Sequence, residues 1–253
     1  MAKQSILILA QKSASTNILI SHCIKRYPVV GVIFEEPPNF WAFLRRRISK
    51  LGLIKVAGQL MFLLTVPLFL KLISKKRIEV IYKQYGFSHE KTFGFSSKKV
   101  STINSMAAIA YIKELNPDLI VLSGTRILSA EVLRTYDGKI LNIHAGITPF
   151  YRGVHGAYWA LANFDKENCG VTVHLVDAGI DTGGILKQAR IVHLPHDNYV
   201  TYPLLQLALG LRLLDEVISE NSYKSEEPKG RGRLWYHPTL YQYLLNRIKY
   251  SIK

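Results

Sequence analysis

The sequence is poor in cysteine, with only Cys23 and Cys169 among its 253 residues. Two isolated cysteines build neither a disulfide framework nor a zinc site, and they fit a reducing, cytosolic setting. An uninterrupted bilayer-length apolar run is also missing. The stretch from Leu51 to Leu70 is broken by Lys55, Gln59 and Pro67. Its apolar part, 56–70, falls short of the ~20 residues that a spanning helix needs. No small-residue cleavage site follows the short apolar run of MAKQSILILAQ, so this segment reads as a first buried strand, not a signal peptide. Internal repeats and low-complexity tracts are absent. Acidic residues are scarce: 18 Asp and Glu against 33 Lys and Arg give a formal charge of +15. That excess fits an anionic partner (nucleic acid, a membrane surface or a phosphorylated substrate). It fits equally well lysines scattered for solubility.

What is present supports a packed core, since 48% of residues are hydrophobic. Apolar and β-branched runs at 5–10, 29–34, 118–123, 139–143, 170–176 and 185–192 read as strands. Helical periodicity covers 15–26, with Ser15 placed to cap it, and also 105–115, 155–163 and 198–219. The segment 78–82 fits either a strand or a helix end, and 83–100 reads as a loop. This alternation predicts a doubly wound, mainly parallel sheet with helices on both faces. Ligands of such sheets sit at the carboxyl ends of the strands. The expected organisation is a catalytic domain over 1–197 with an insertion at 39–77, followed by a helix and aromatic tail over 198–253.

The insertion places Trp41, Phe43 and Leu44 before Arg45-Arg46-Arg47, and closes on Lys71, Lys75, Lys76 and Arg77. Basic residues at both ends of an apolar helix suit a helix lying in a membrane interface. A pair of helices buried against the core or a second subunit fits as well. In the tail, Trp235, Tyr236, Tyr241 and Tyr243 either stack on a ligand or pin the segment to its own domain.

The segments 141–161 and 170–186 hold the chemistry. Asn142 and His144 are two apart at a strand end, so both point to one side. Asn142 offers an amide donor to a developing oxyanion, and His144 exchanges a proton near neutral pH. Asp181 sits in the glycine-flanked turn Gly179-Ile-Asp-Thr-Gly183-Gly184. Such a set suits attack of an amine on a carbonyl carbon, though the same three groups serve many other reactions. His155 follows an Arg-Gly loop, where it faces either an acceptor or solvent. His174 either contacts a ligand or is a hydrogen-bonded core histidine. His193, His196 and His237 have no metal-ligand spacing, so no metal is expected.

The stretch DLIVLSGTRILSAEVLRTYDGKILNIHAGITPFYRG, followed by GVTVHLVDAGIDTGGILKQARI, resembles the folate-dependent formyltransferases. The resemblance spans roughly 101–195 and rests on several separate motifs in order. It implies a Rossmann-like formyltransferase fold, 10-formyltetrahydrofolate as the formyl donor, and Asn142, His144 and Asp181 as the catalytic set. It further implies folate contacts around Arg126, Ile127 and Leu128 and around Asp177, Ala178, Gly179 and Ile180. Tyr151, Arg152, Gly153 and His155 are placed beside the acceptor.

Two departures narrow the acceptor. After the histidine stands Ala145-Gly146-Ile147-Thr148-Pro149 in place of the usual Pro-Ser-Leu-Leu-Pro, which is expected to loosen this loop. After strand one, Gln11 to Asn17 holds no glycine, which makes close backbone approach to a phosphate harder. That counts against glycinamide ribonucleotide. Too few residues follow Asp197 for the extra domain of the tRNA enzymes, which counts against aminoacyl-tRNA. The expected acceptor is therefore a small-molecule primary amine, that of an amino sugar borne on a nucleotide or lipid in surface polysaccharide synthesis. The expected setting is cytoplasmic, with peripheral membrane contact through 41–77, a homodimer as a further possibility, and no nucleic-acid partner. A formyl-folate hydrolase and a non-catalytic folate- or membrane-binding module are the competing readings.

Overall fold

The computed structural model of the protein describes residues 4–88 and 96–253. In chain order the elements are β1 (Ile6–Gln11), α1 (Ala14–Arg26), β2 (Val29–Glu35), α2 (Phe40–Leu51), α3 (Leu53–Ile73), α4 (Lys75–Tyr85) and β3 (Ser97–Val100). Then come α5 (Met106–Leu115), β4 (Leu119–Ser123), α6 (Ala130–Thr135), β5 (Lys139–His144), β6 (Tyr151–Gly153), α7 (Gly156–Ala162), β7 (Gly170–Leu175) and β8 (Ile185–Arg190). The chain closes with α8 (Tyr202–Glu220), β9 (Arg233–Trp235) and α9 (Leu240–Tyr250).

Seven strands form one sheet in the order β3-β2-β1-β4-β5-β7-β8. The first four pairings are parallel, and β5–β7 and β7–β8 are antiparallel. The most apolar strands, β1 and β4, lie side by side in the middle, with Ile6 to Ala10 and Leu119 to Leu122 buried. Strands covered on both faces read as unbroken apolar runs, which explains why these two were the most legible. The chain winds outward from β1 to β3 and then back across to β4 and β5. The β1/β4 junction is therefore where strand order reverses, and ligand clefts open at the carboxyl ends beside such a point. The amphipathic α8 lies on β7, β8 and β5 and buries Leu205, Leu211, Leu214 and Val217.

Several local expectations shift. The cap of α1 is Ser13, not Ser15; its side chain accepts from the Thr16 N–H at 3.1 Å. The segment 78–82 lies inside helix α4. The expected loop at 83–100 ends in a strand: β3 pairs with β2 along its exposed edge, where the polar sequence SKKV is tolerated. Residues 89–95 of that loop lie outside the described residues.

The insertion departs most. It forms three consecutive helices, and α3 runs unbroken through Pro67 for 21 residues, long and apolar enough to cross a membrane by length and composition. A mid-helix proline costs about 3 kcal/mol. The stripe Val56, Phe62, Val66 and Leu70, buried against the domain, offsets it, each such side chain contributing roughly 1.5–3 kcal/mol. Arg77 of α4 is locked to the buried carboxylate of Asp197 through two bonds of 2.8 and 2.9 Å. The aromatic tail folds back as well. Trp235 stacks between Trp159 and Tyr151, and β9 pairs in parallel with β6. Tyr243 is buried, whereas Tyr241 is 72% exposed.

Candidate active site

Asn142 and His144 occupy alternate positions at the end of β5 and leave the sheet on one face. Between them, Ile143 points the other way, toward Gly210 of α8, where a Cβ would stand 2.4 Å from its Cγ2. Asp181 arrives from the turn after β7, with φ of 51°. That turn is held from inside: the Asp177 carboxylate accepts from the Gly179 N–H at 3.0 Å and from the Thr182 hydroxyl at 2.7 Å.

The three side chains meet. His144 Nδ1 lies 3.3 Å from Asp181 Oδ2, and Asn142 Nδ2 lies 3.4 Å from Asp181 Oδ1. The Gly153 N–H donates to Asp181 Oδ2 at 2.9 Å. His144 Nε2 stands 2.7 Å from the Tyr151 carbonyl, which only accepts, so Nε2 carries the proton. A neutral His144 therefore turns its Nδ1 lone pair toward Asp181. Burial lowers the His144 pKa, and the opposing pull of Asp181 does not overcome it. The Asp181 carboxyl lies below the usual carboxylate range: burial works against its anion, but the positive charge that His144 or His174 carries when protonated, with the Gly153 N–H, outweighs it. The pair is thus an anion beside a neutral base, with one vacant proton position between them.

A fourth residue belongs to the cluster. His174 lies directly across from Asn142 in the antiparallel β5–β7 register. Its Nδ1 donates to the Leu175 carbonyl at 2.6 Å, which leaves Nε2 to accept from Asn142 Nδ2 at 3.2 Å. The sequence holds one signal for this placement, the alternation of Thr172 and His174 on β7. The antiparallel turn of β7 that brings His174 opposite Asn142 is not visible locally.

A cavity of about 450 Å³ opens over these groups. Leu122, Gly124, Ile127, Leu128, Val176 and Ile180 give it apolar walls, and Asp177 and Gly179 line it as well. Its size and lining fit a flat heterocycle held by backbone groups. The Arg126 side chain turns away: it is spent on Glu35 at 3.1 Å and on the carbonyls of Ser101 and Glu36, and its backbone N–H also goes to Glu35. Arg126 therefore lines the cavity with its backbone N–H already given to Glu35. Ala178 is exposed and stands outside the cavity lining. Among the described residues no cluster of His, Cys, Asp or Glu is arranged to hold a metal.

The loop beside the site is pinned rather than loose. Thr148 N–H donates to Thr172 Oγ1, and its carbonyl accepts from Gln188. Gly146 lets the loop close: a Cβ there would meet the Tyr151 carbonyl at 2.2 Å and His144 Nε2 at 2.8 Å. Tyr151 contributes that carbonyl, while its ring is buried and its hydroxyl donates to Asp165. Arg152 has a buried Nε with no hydrogen-bond partner. His155 is packed rather than solvated, with φ of 56° and its ring stacked 3.8 Å from that of Tyr199. Burial, with His237 adding to it, pushes its pKa down to about 3.

A mainly parallel sheet with an Asn-x-His strand end and an aspartate turn over an open cavity defines an α/β fold whose polar site lies at the carboxyl ends of its strands. The particular family follows from comparison: the Formyl transferase family model matches residues 63–204, over half the chain. The chain belongs to the formyl transferase family. It is 36% identical over 134 residues to methionyl-tRNA formyltransferase of Thermodesulfovibrio yellowstonii, a match covering 52% of this chain and 43% of that protein. It is 44% identical over 86 residues to phosphoribosylglycinamide formyltransferase of Mycobacterium tuberculosis, covering 34% of this chain and 40% of that one. The chain thus spans less than half the length of these curated relatives. In fold it is similar to phosphoribosylglycinamide formyltransferase of Streptococcus pneumoniae, with TM-score 0.55, 21% identity, and coverage of 86% of this chain and 98% of that one. It is also similar to a sugar N-formyltransferase from a Shewanella species, with TM-score 0.55, 17% identity, and coverage of 92% and 76%.

Proposed function

We propose that this protein transfers a formyl group from 10-formyltetrahydrofolate to a primary amine, with Asn142, His144 and Asp181 as its catalytic residues. The observation that carries this reading is the vacant proton position between His144 Nδ1 and Asp181, 3.3 Å apart and beside the Asn142 amide. The amine nitrogen bonds to the formyl carbon, and the carbonyl electrons move onto oxygen. Asn142 Nδ2, whose present bonds are long at 3.2 and 3.4 Å, turns one N–H to that oxyanion. The amine proton passes to His144 Nδ1, where the Asp181 anion stabilises the imidazolium. Collapse breaks the bond to the donor nitrogen, which takes the proton back from His144. No covalent enzyme intermediate forms. Donor contacts are assigned to Ile127, Leu128, Asp177, Gly179 and Ile180, and acceptor contacts to the 151–155 loop.

The acceptor we favour is an amino sugar on an anionic carrier, a nucleotide or a lipid phosphate, in surface polysaccharide synthesis. Support comes from Arg152, whose buried Nε lacks a partner next to Gly153, while the glycine-free turn at 11–17 counts only against glycinamide ribonucleotide. The unpaired thiols of Cys23 and Cys169, both buried, fit a cytoplasmic setting. Incubation with 10-formyltetrahydrofolate and a panel of amino-sugar nucleotides, glycinamide ribonucleotide and methionyl-tRNA tests the reading. Product carrying one formyl group on a sugar amine is the expected result. Formate release with no formylated amine overturns the transferase reading, and exclusive formylation of either other acceptor overturns the amino sugar.

A further inference from the structure

Helix α3 is apolar on all sides, and such a helix is ordinarily covered all round. Only one stripe of it is covered. Val56, Gln59, Phe62, Val66 and Leu70 face the domain, whereas Ile54 is 90% exposed and Leu64, Leu68, Phe69 and Leu72 are each exposed by more than half. Helix α9 packs against α3 and repeats the pattern. Its Tyr243 is buried against Phe62, and its Leu244, Leu245 and Ile248 face outward. Gly58 permits the contact, since a Cβ there would sit 3.0 Å from Thr239 at the cap of α9. Helix α2 adds exposed Phe40 and Trp41 beside α3.

The charge of the molecule is concentrated on these elements. Residues 40–78 contain nine Lys and Arg and no Asp or Glu, and residues 228–253 contain six and none. Together they hold the entire formal charge of +15, and the remainder of the chain is balanced. Arg45, Arg46, Lys50, Lys55, Lys71 and Lys249 are exposed around the apolar surface. We infer that α3 and α9, with α2 at their edge, form one docking face for the surface of an anionic lipid bilayer. Apolar side chains enter the headgroup boundary while the basic rim meets anionic headgroups. A second copy of the chain fits poorly, because a two-fold contact would press two uniformly basic, acid-free rims together. Spanning is opposed by the covered stripe, where Gln59 donates to the His237 carbonyl at 2.7 Å and accepts from Arg47. The helix therefore lies in the interface plane. This inference is independent of the formyl-transfer reading, and its test is read without turnover.

The test is co-sedimentation of the full chain with phosphatidylcholine vesicles and with vesicles containing about 30% phosphatidylglycerol, a typical anionic surface. Two double variants, Leu64→Glu/Leu68→Glu on α3 and Leu244→Glu/Ile248→Glu on α9, change exposed positions only. Light scattering without vesicles gives the oligomeric state. We expect binding to the anionic vesicles, at least about tenfold weaker binding to the neutral ones, and a loss of about tenfold or more in each variant. High salt should weaken the wild-type binding. Failure of the wild type to bind, equal binding to both vesicles, or full binding by the α9 variant overturns the inference. So does a dimer that the same substitutions disperse.

Discussion

Replacing Asp181 with Asn tests the charge at the site with little else changed. Asparagine tolerates the left-handed backbone at this position, where φ is 51°, better than most residues. Its side-chain oxygen still accepts from the Gly153 N–H. What is lost is the anion 3.3 Å from His144 Nδ1. At an effective dielectric of about 20, that anion stabilises the imidazolium by at most ~5 kcal/mol. Proton transfer by one positioned group is worth roughly 10²–10⁴ in rate. Both routes place the expected fall in kcat/KM at about 10²–10⁴. The assay is formyl transfer to the best amine in the panel, with the thermal midpoint as a control for folding. A folded Asp181→Asn variant that retained turnover within about threefold of wild type, far below the effect of losing one such group, would refute the proton-relay argument.

Three further outcomes follow from the same geometry. Because His144 must be neutral to accept a proton and burial lowers its pKa, kcat/KM should rise with pH through a midpoint below the ordinary ~6.5 and be level above it; a midpoint above that value contradicts the assignment. Gly146→Ala places a methyl 2.2 Å from the Tyr151 carbonyl and 2.8 Å from His144 Nε2, so it should cost about 1–3 kcal/mol of stability and at least about tenfold in kcat, checked by denaturation and steady-state kinetics. Arg77→Met leaves the fully buried Asp197 carboxylate without its cation and should cost about 3–5 kcal/mol in urea unfolding; a change under ~1 kcal/mol would show that α4 is not anchored there.

The central strands, the long α8 and the Asn142–His144–Asp181 convergence were all legible in the sequence. The strands and the helix rest on local signals, an unbroken apolar run and a helical stripe, and the pairing of Asn142 with His144 on a two-residue spacing at a strand end, whereas Asp181 joins them only through the resemblance to the formyltransferases. What escaped depends on distant partners. The polar strand β3 exists only because β2 offers it an edge, and β6 pairs with β9 across some eighty residues of chain. His174, which the sequence leaves open between a ligand contact and a core histidine, enters the site because β7 runs antiparallel to β5. The run of α3 through Pro67 depends on a covered stripe that the local sequence does not display. The loop after His144 reads as loosened by Gly146, yet space for the His144–Tyr151 bond is what that glycine provides.

The most direct measurement is a crystal structure with an unreactive 10-formyltetrahydrofolate analogue and the amine acceptor bound together. The formyl carbon is expected above β5, with its oxygen within hydrogen-bond reach of Asn142 Nδ2 and the attacking nitrogen within about 3–3.5 Å of His144 Nδ1. A donor seated elsewhere, for instance in the separate cavity lined by Gln11, Lys12 and Phe34, would contradict it.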